Sequence, residues 1–261
     1  CRRGQRDHSG DYLLGRQSRI GSRLCVILEI SGGVIVKTFA GISGTVLMTT
    51  WISHLRIAEA IAKISPELDE FAFAYGSLAP DAGVPLNPEA TEFNSPKPLT
   101  HFIRDERSES NIHDLEFYRE YLVEVDLHDR QTYSFLFGYY LHLVTDVLWG
   151  SRVWEATKRA YADQIALVGM ARAVEDIKQD WYGLDFKYVY EHPDCLFWRA
   201  LVNPVAFSSP LPFLSDDILR KKLNYVSRMY SQAVDVVRLD RVYPYLSEER
   251  MDQFVDDTVR A

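Results

Sequence analysis

Beyond Met48 apolar residues recur with a helical period, and no stretch there alternates apolar and polar residues in the manner of a strand. In 50–64, Trp51, Leu55, Ala58, Ile61 and Ala62 form one stripe while Arg56, Glu59 and Lys63 fall outside it. That pattern predicts an amphipathic helix with His54 on its apolar side. Ser65, Pro66 and Glu67 read as the cap and first turn of a second helix through Phe71 and Tyr75, ended by Gly76. Further helices are predicted over 112–125, 130–149, 151–168, 171–190 and 193–202, with Gly150, Gly169 and Gly183 as breaks. Ser215 before Asp216 and Asp217 caps a helix to about 238, and Ser247 before Glu248 and Glu249 caps a last one to about 260. The expected fold is all-α, a single domain of about eight helices around one buried central helix.

The central helix is the run 138–149, GYYLHLVTDVLW. His142 and Asp146 stand four residues apart in it, which stacks imidazole over carboxylate on one helix face. An ionised carboxylate in so apolar a segment is unfavourable unless a partner or a metal compensates. Gly138, one turn earlier on that face, gives up about 1 kcal/mol of helix propensity relative to alanine. Close approach of another element would account for it.

Composition sharpens this reading. The chain has 261 residues, 47% of them hydrophobic and 13% aromatic, as expected of a folded globular protein. Its net charge is -8, distributed unevenly: residues 1–47 hold seven Lys/Arg against three Asp/Glu, a net of +4, so residues 48–261 carry -12. A body that acidic disfavours nucleic acid and anionic membrane surfaces unless bound cations reverse the field locally. Cys1, Cys25 and Cys195 have neither the spacing of a thiolate metal site nor an even number. Cytoplasmic residence is therefore expected, with secretion the alternative if residues 1–47 contain a leader. That segment, a polar Arg-rich start followed by an apolar run broken by glycines, Glu29 and Lys37, is too interrupted to span a membrane. The first methionine is Met48, immediately before the first periodic helix, so 1–47 is expected to be an appendage, a processed segment or a wrongly assigned start, and 48–261 the functional domain.

Between the second helix and 112 lies a stretch with Pro80, Pro85, Pro88, Pro96 and Pro98, and its ends carry Asp81 and His101. Loops of that length inside a compact domain are usually functional or disordered. Taken singly, His54 reads as a core histidine, His101 as a loop histidine and Asp81 as a helix cap. In series, His54, Asp81 within GSLAPD, His101 within THF, and HLVTD followed by Trp149 resemble the zinc-dependent phospholipase C family over roughly residues 50–150. That family groups with the P1-type nucleases in a mostly helical fold. The resemblance implies that Asp81, His101, His142 and Asp146 ligate one zinc, that Asp146 bridges to a second ion and that His54 belongs to this second site. It further implies hydrolysis of a phosphodiester by zinc-activated water, with Asp81 also orienting or deprotonating that water. Imidazoles and carboxylates suit zinc, and zinc brings the pKa of its water near 7.

The sequence also departs from the family. Multi-zinc members carry a further histidine soon after the HxxxD aspartate and a later HxxxE pair; here Gly150 follows Trp149 and the only later histidine is His192. Asp176, Asp180, Asp185 and Glu191 are the carboxylates available in their place. Secreted members use an N-terminal tryptophan amine as a ligand, whereas Trp51 is internal. One or two zinc ions are thus expected rather than three. The substrate is expected to be a small phosphoester or a phospholipid headgroup, and the alternative is a non-catalytic helical module with a structural or vestigial metal site.

Overall fold

The computed structural model describes residues 25–30, 33–38, 48–83, 95–104, 112–232 and 239–261. The chain divides into two compact units, 1–41 and 42–261. In the first, β1 (Cys25–Ile30) and β2 (Gly33–Thr38) pair antiparallel, with Cys25 opposite Thr38 and Ile30 opposite Gly33. No strand had been expected from this segment. The broken apolar run makes a hairpin, which is consistent with its Val- and Ile-rich composition.

The second unit is all-α among its described residues. Its helices are α1 (Trp51–Ile64), α2 (Glu70–Leu78), α3 (Lys97–Thr100), α4 (Asp114–Phe117), α5 (Arg130–Trp149), α6 (Glu155–Ala160), α7 (Ala162–Val168), α8 (Met170–Glu191), α9 (Asp216–Gln232) and α10 (Glu248–Arg260). No helix among the described residues is long and apolar enough to cross a membrane. α5 is the central element, packed against α1, α2, α4 and α10. Its far end is walled by aromatic rings: Trp149 meets Trp181 of α8 and Phe254 of α10 edge-on, with centroids 4.9 and 5.0 Å away.

Several boundaries differ from expectation, each for a local reason. α2 begins at Glu70 rather than at Pro66, because the Asp69 carboxylate caps it by accepting from the Ala72 N–H at 2.9 Å. Gly76 lies inside α2 and Gly183 inside α8. Gly150 does not interrupt the chain either: a π-helical turn over Gly150–Trp154 carries α5 on toward α6. The predicted 112–125 helix is the short α4 followed by another π turn, Tyr118–Leu122, and 193–202 reduces to the π turn Phe197–Leu201. Gly169 does break the chain, at φ +86°, and Ser247 does cap α10 by accepting from the Arg250 N–H. The predicted end of α9 near 238 lies outside the described residues.

The glycines of α2 and α5 set the distance between these helices. A Cβ on Gly138 would stand 2.3 Å from the Phe73 carbonyl oxygen, and one on Gly76 would stand 2.0 Å from that of Phe135. Neither contact can relax by moving a flexible side chain, because both are with backbone. The helices therefore touch main chain to main chain, and Ser134 ties them again by accepting from the Asp69 N–H at 2.8 Å. Close approach to the Gly138 face, expected from its propensity cost, is what the structure contains. Gly138→Ala should lower unfolding free energy by about 1–3 kcal/mol through overpacking, although alanine favours the isolated helix by about 1 kcal/mol. Urea denaturation checks this, and an unchanged or raised midpoint would refute the main-chain contact.

Candidate metal centre

The close pairing of α2 and α5 puts the Ser77 carbonyl beside His142, whose Nδ1 lies 2.8 Å from that oxygen. A carbonyl can only accept, so Nδ1 carries the proton and Nε2 of the neutral ring presents a lone pair. His101 comes from the end of α3. Its segment is held to α5 by the Tyr139 hydroxyl, which donates to the Thr100 carbonyl at 2.5 Å. Directly after His101, Phe102 takes a left-handed φ of 53°, a conformation that costs a side-chain-bearing residue about 1–2 kcal/mol. Burial of its ring edge-on against Phe117, centroids 5.4 Å apart, offsets the strain.

Four side chains converge. His142 Nε2 lies 3.3 Å from His101 Nε2 and 3.2 Å from Asp146 Oδ2, and His101 Nε2 lies 3.5 Å from Asp81 Oδ1 and 3.7 Å from Asp146 Oδ2. Donors around a tetrahedral ion with bonds of about 2.0–2.2 Å are separated by about 3.3–3.6 Å, and these four spacings, 3.2 to 3.7 Å, lie close to that range. The other Asp146 oxygen, Oδ1, faces His54 Nε2 at 3.4 Å and accepts from the Thr49 N–H at 3.0 Å. His54 stacks on His142 with centroids 3.8 Å apart. Two donor groups thus share His142: one is Asp81, His101 and His142, the other His54, His142 and Asp146, with one donor atom from each residue of a group within 4.8 Å of the others. Asp146 spans both positions through its two oxygens.

The charges are those of a cluster that could hold a cation. Among the described residues, neither ring nitrogen of His54 nor Oδ2 of Asp146 has a hydrogen-bond partner, although all three atoms are buried. Orphaned polar atoms this deep are uncommon without an ion or water to meet them. Burial, and then the nearby His142, hold the His54 ring neutral down to about 4. His101 is likewise lowered by burial, against the pull of Asp81. Burial pushes both carboxyls up, but it is outweighed: at Asp146 by the neighbouring His142 and then His54, at Asp81 by Lys97 and then His101. Both carboxylates lie well below their usual range and are ionised. For His142 burial is outweighed by Asp146, and the ring sits above its ordinary value. It would surrender a proton on binding a metal.

The later acidic residues do not join this centre. Asp180 receives the Arg241 guanidinium at 2.5 Å and the Tyr245 N–H at 2.6 Å, while Asp176 faces Arg172. Asp185 accepts from the hydroxyls of Thr50 and Tyr230 at 2.6 Å each, and burial pushes its carboxyl up to about 7. His192 is exposed, stacked on Tyr188 at 4.2 Å, and Glu191 is exposed beside it. What sequence reasoning missed is the support around the ligands. Trp51, read from the sequence as a member of the apolar stripe and as unable to supply an N-terminal amine, donates from its indole Nε1 to Asp81 Oδ2 at 2.7 Å, and Lys97 Nζ lies 3.5 Å from Oδ1. Helical spacing assigns Trp51 to the core stripe, so only the missing helix partner at its polar tip could have signalled this role.

In the metal-free protein His54 stays neutral down to about 4 when folded but takes a proton near 6.5 when unfolded. The unfolded chain then binds more protons between those values, so this stability, complete above 6.5, is lost as pH falls toward 4. Relative to His54→Gln, chelator-treated wild type should lose roughly 3 kcal/mol of unfolding free energy across that interval. Urea denaturation of both proteins at several pH values checks it; a difference that does not change with pH would contradict the burial of a neutral ring.

Neither a curated protein nor a solved structure matches the chain. Over residues 53–159, the stretch that carries His54, Asp81, His101, His142 and Asp146, the chain matches the family described as zinc dependent phospholipase C.

Proposed function

We propose that the protein hydrolyses phosphoric diesters with zinc held by Asp81, His101, His142 and Asp146, and that Asp146 and His54 hold a second ion. The observation that carries this reading is the 3.3 Å approach of His101 Nε2 to His142 Nε2. With Nδ1 of His142 committed to a carbonyl, the two Nε2 atoms face each other beside the ionised Asp81 and Asp146, a donor set that a metal cation could satisfy in place of the proton His142 otherwise holds. The family match supports zinc and a phospholipase C-like hydrolase.

Zinc, when bound, supplies a Lewis acid that makes water nucleophilic near neutral pH and neutralises charge on a phosphoryl oxygen. The chain's own residues supply position and polarity. The Ser77 carbonyl fixes the tautomer of His142, as the outer partner of a metal-ligating histidine characteristically does. Thr100 Oγ1, 3.0 Å from Nδ1 of His101, plays the corresponding part there. Trp51 and Lys97 hold Asp81, whose carboxyl is too acidic to retain a proton. Asp81 is therefore suited to orienting water by accepting its hydrogen bond, rather than to storing the proton removed.

Metal analysis of purified protein should find zinc, and His142→Ala or Asp146→Ala should lose both the metal and more than about 100-fold in hydrolysis of p-nitrophenyl phosphorylcholine, phosphatidylcholine or single-stranded DNA, whichever the protein cleaves. Zinc bound at full stoichiometry with none of these cleaved would instead favour the structural-metal module. Trp51→Phe, which keeps the ring but removes the N–H, should weaken zinc affinity or kcat by about 10–100-fold. If it behaves as wild type, Asp81 does not depend on the indole.

A further inference from the structure

Beside Asp81 lies a cavity of about 190 Å³ whose walls include Trp51, Asp81, Lys97, Lys178, Tyr182 and Lys222. The lysines come from three different elements, α3, α8 and α9, and meet at this one hollow. Lys222 is 8% exposed, with Nζ 3.9 Å from the centroid of the Trp51 ring, and Lys178 is half-buried. Among the described residues neither Lys178 nor Lys222 is within ion-pair distance of a carboxylate; Lys97 alone has one, Asp81. That carboxylate is already committed, with Oδ2 taken by the Trp51 indole and Oδ1 facing His101. So a body whose net charge is strongly negative gathers three lysines against one carboxylate among the described residues that line a hollow beside Asp81. Burial lowers both Lys222 and Lys178 to about 8; repulsion from Lys97 adds to the shift in each and attraction to Asp81 opposes it. Burying the Lys222 ammonium beside two further lysines is costly, and an anion of matching charge would relieve it.

We propose that Lys97, Lys178 and Lys222 form a phosphate-binding pocket, which seats an anionic phosphoryl group next to the metal centre. This rests on the reading of the centre as a phosphoester hydrolase for its use, though not for its existence. The pocket argues against a choline-type headgroup: a quaternary ammonium would meet like charges, and the Trp51 face that could have received it is covered by Lys222. It argues equally for phosphate oxygens, each of which can accept charge-assisted hydrogen bonds from ammonium groups. The same three cations offer a phosphoryl group the positive charge that the absent later histidine and HxxxE pair would otherwise recruit as a further metal. The group seated is either the phosphate being cleaved or a second phosphate carried by the headgroup.

Calorimetric titration of inorganic phosphate into the full chain, both zinc-loaded and chelator-treated, tests the pocket without relying on turnover. Phosphate should bind both forms, and Lys178→Met or Lys222→Met should weaken that binding by about tenfold or more and reduce its salt dependence. Zinc content should be unchanged in both variants. Lys222 is buried, so should its variant fail to fold by circular dichroism, the less buried Lys178→Met and the exposed Lys97→Met carry the test. Equal phosphate affinity in wild type and Lys178→Met, or binding confined to zinc-loaded protein and indifferent to the lysines, overturns the proposal. Lysine-dependent phosphate binding in a protein that takes up no zinc would leave the pocket standing and remove the hydrolase reading instead. The source of the phosphate follows from kcat/KM of Lys178→Met on two diesters. A fall with bis(p-nitrophenyl) phosphate places the scissile group in the pocket, and a fall only with a diester whose alcohol bears a phosphomonoester places the headgroup phosphate there; if neither falls, the seating of a substrate phosphoryl group beside the centre is overturned.

Discussion

The main-chain contact between α2 and α5 at Gly76 and Gly138 governs the geometry of everything around it. Because no side chain separates the two backbones, the carbonyl of Ser77 on α2 reaches the imidazole of His142 on α5. That one hydrogen bond decides which nitrogen of His142 is protonated and hence which is free for an ion. The same helix pair delivers Asp81, in the short 3-10 turn that follows α2, to the mouth of the site. Two glycines remote from any chemistry thus set the tautomer of one prospective ligand and the position of another.

Around that frame, burial and charge compete, and neither wins everywhere. Desolvation is the largest influence on all five candidate ligands, yet it prevails only at His54 and His101, which stay neutral, and loses at Asp81 and Asp146, which stay ionised. It loses also at His142, which Asp146 raises; what stays unsatisfied among the described residues is the pair of His54 nitrogens and Oδ2 of Asp146. Nothing in the fold needs this concentration of polar atoms for packing, since the core elsewhere is filled by Trp149, Trp181, Tyr139 and their neighbours.

The sequence reading reached this centre because its signals are local. His142 and Asp146 are four apart on a helix whose period is plain, and Asp81 and His101 each sit in a short turn of recognisable composition. Helices α1, α5, α8 and α10 were legible for the same reason. Short elements were less so: a π turn keeps the apolar period while changing the register, which is why Gly150 reads as a stop and is none. The hairpin over 25–38 hid in a segment whose glycines and charges break every simple pattern. The lysine pocket was out of reach, since Lys97, Lys178 and Lys222 look like ordinary surface positions until three distant helices bring them together.

One side chain joins the two halves of the cleft. The Trp51 indole holds Asp81 by its N–H and carries Lys222 on its face, so it links the proposed metal side to the cationic side, as the Lys97–Asp81 pair also does. Whatever orders the ring from one side reduces the freedom left to be lost when the other side is occupied. If the proposed cation and anion both bind, thermodynamic reciprocity would couple their occupancies through this indole, each favouring the other to the same degree. Substitutions at Asp81 and Lys222 share this partner, so their effects are not expected to add.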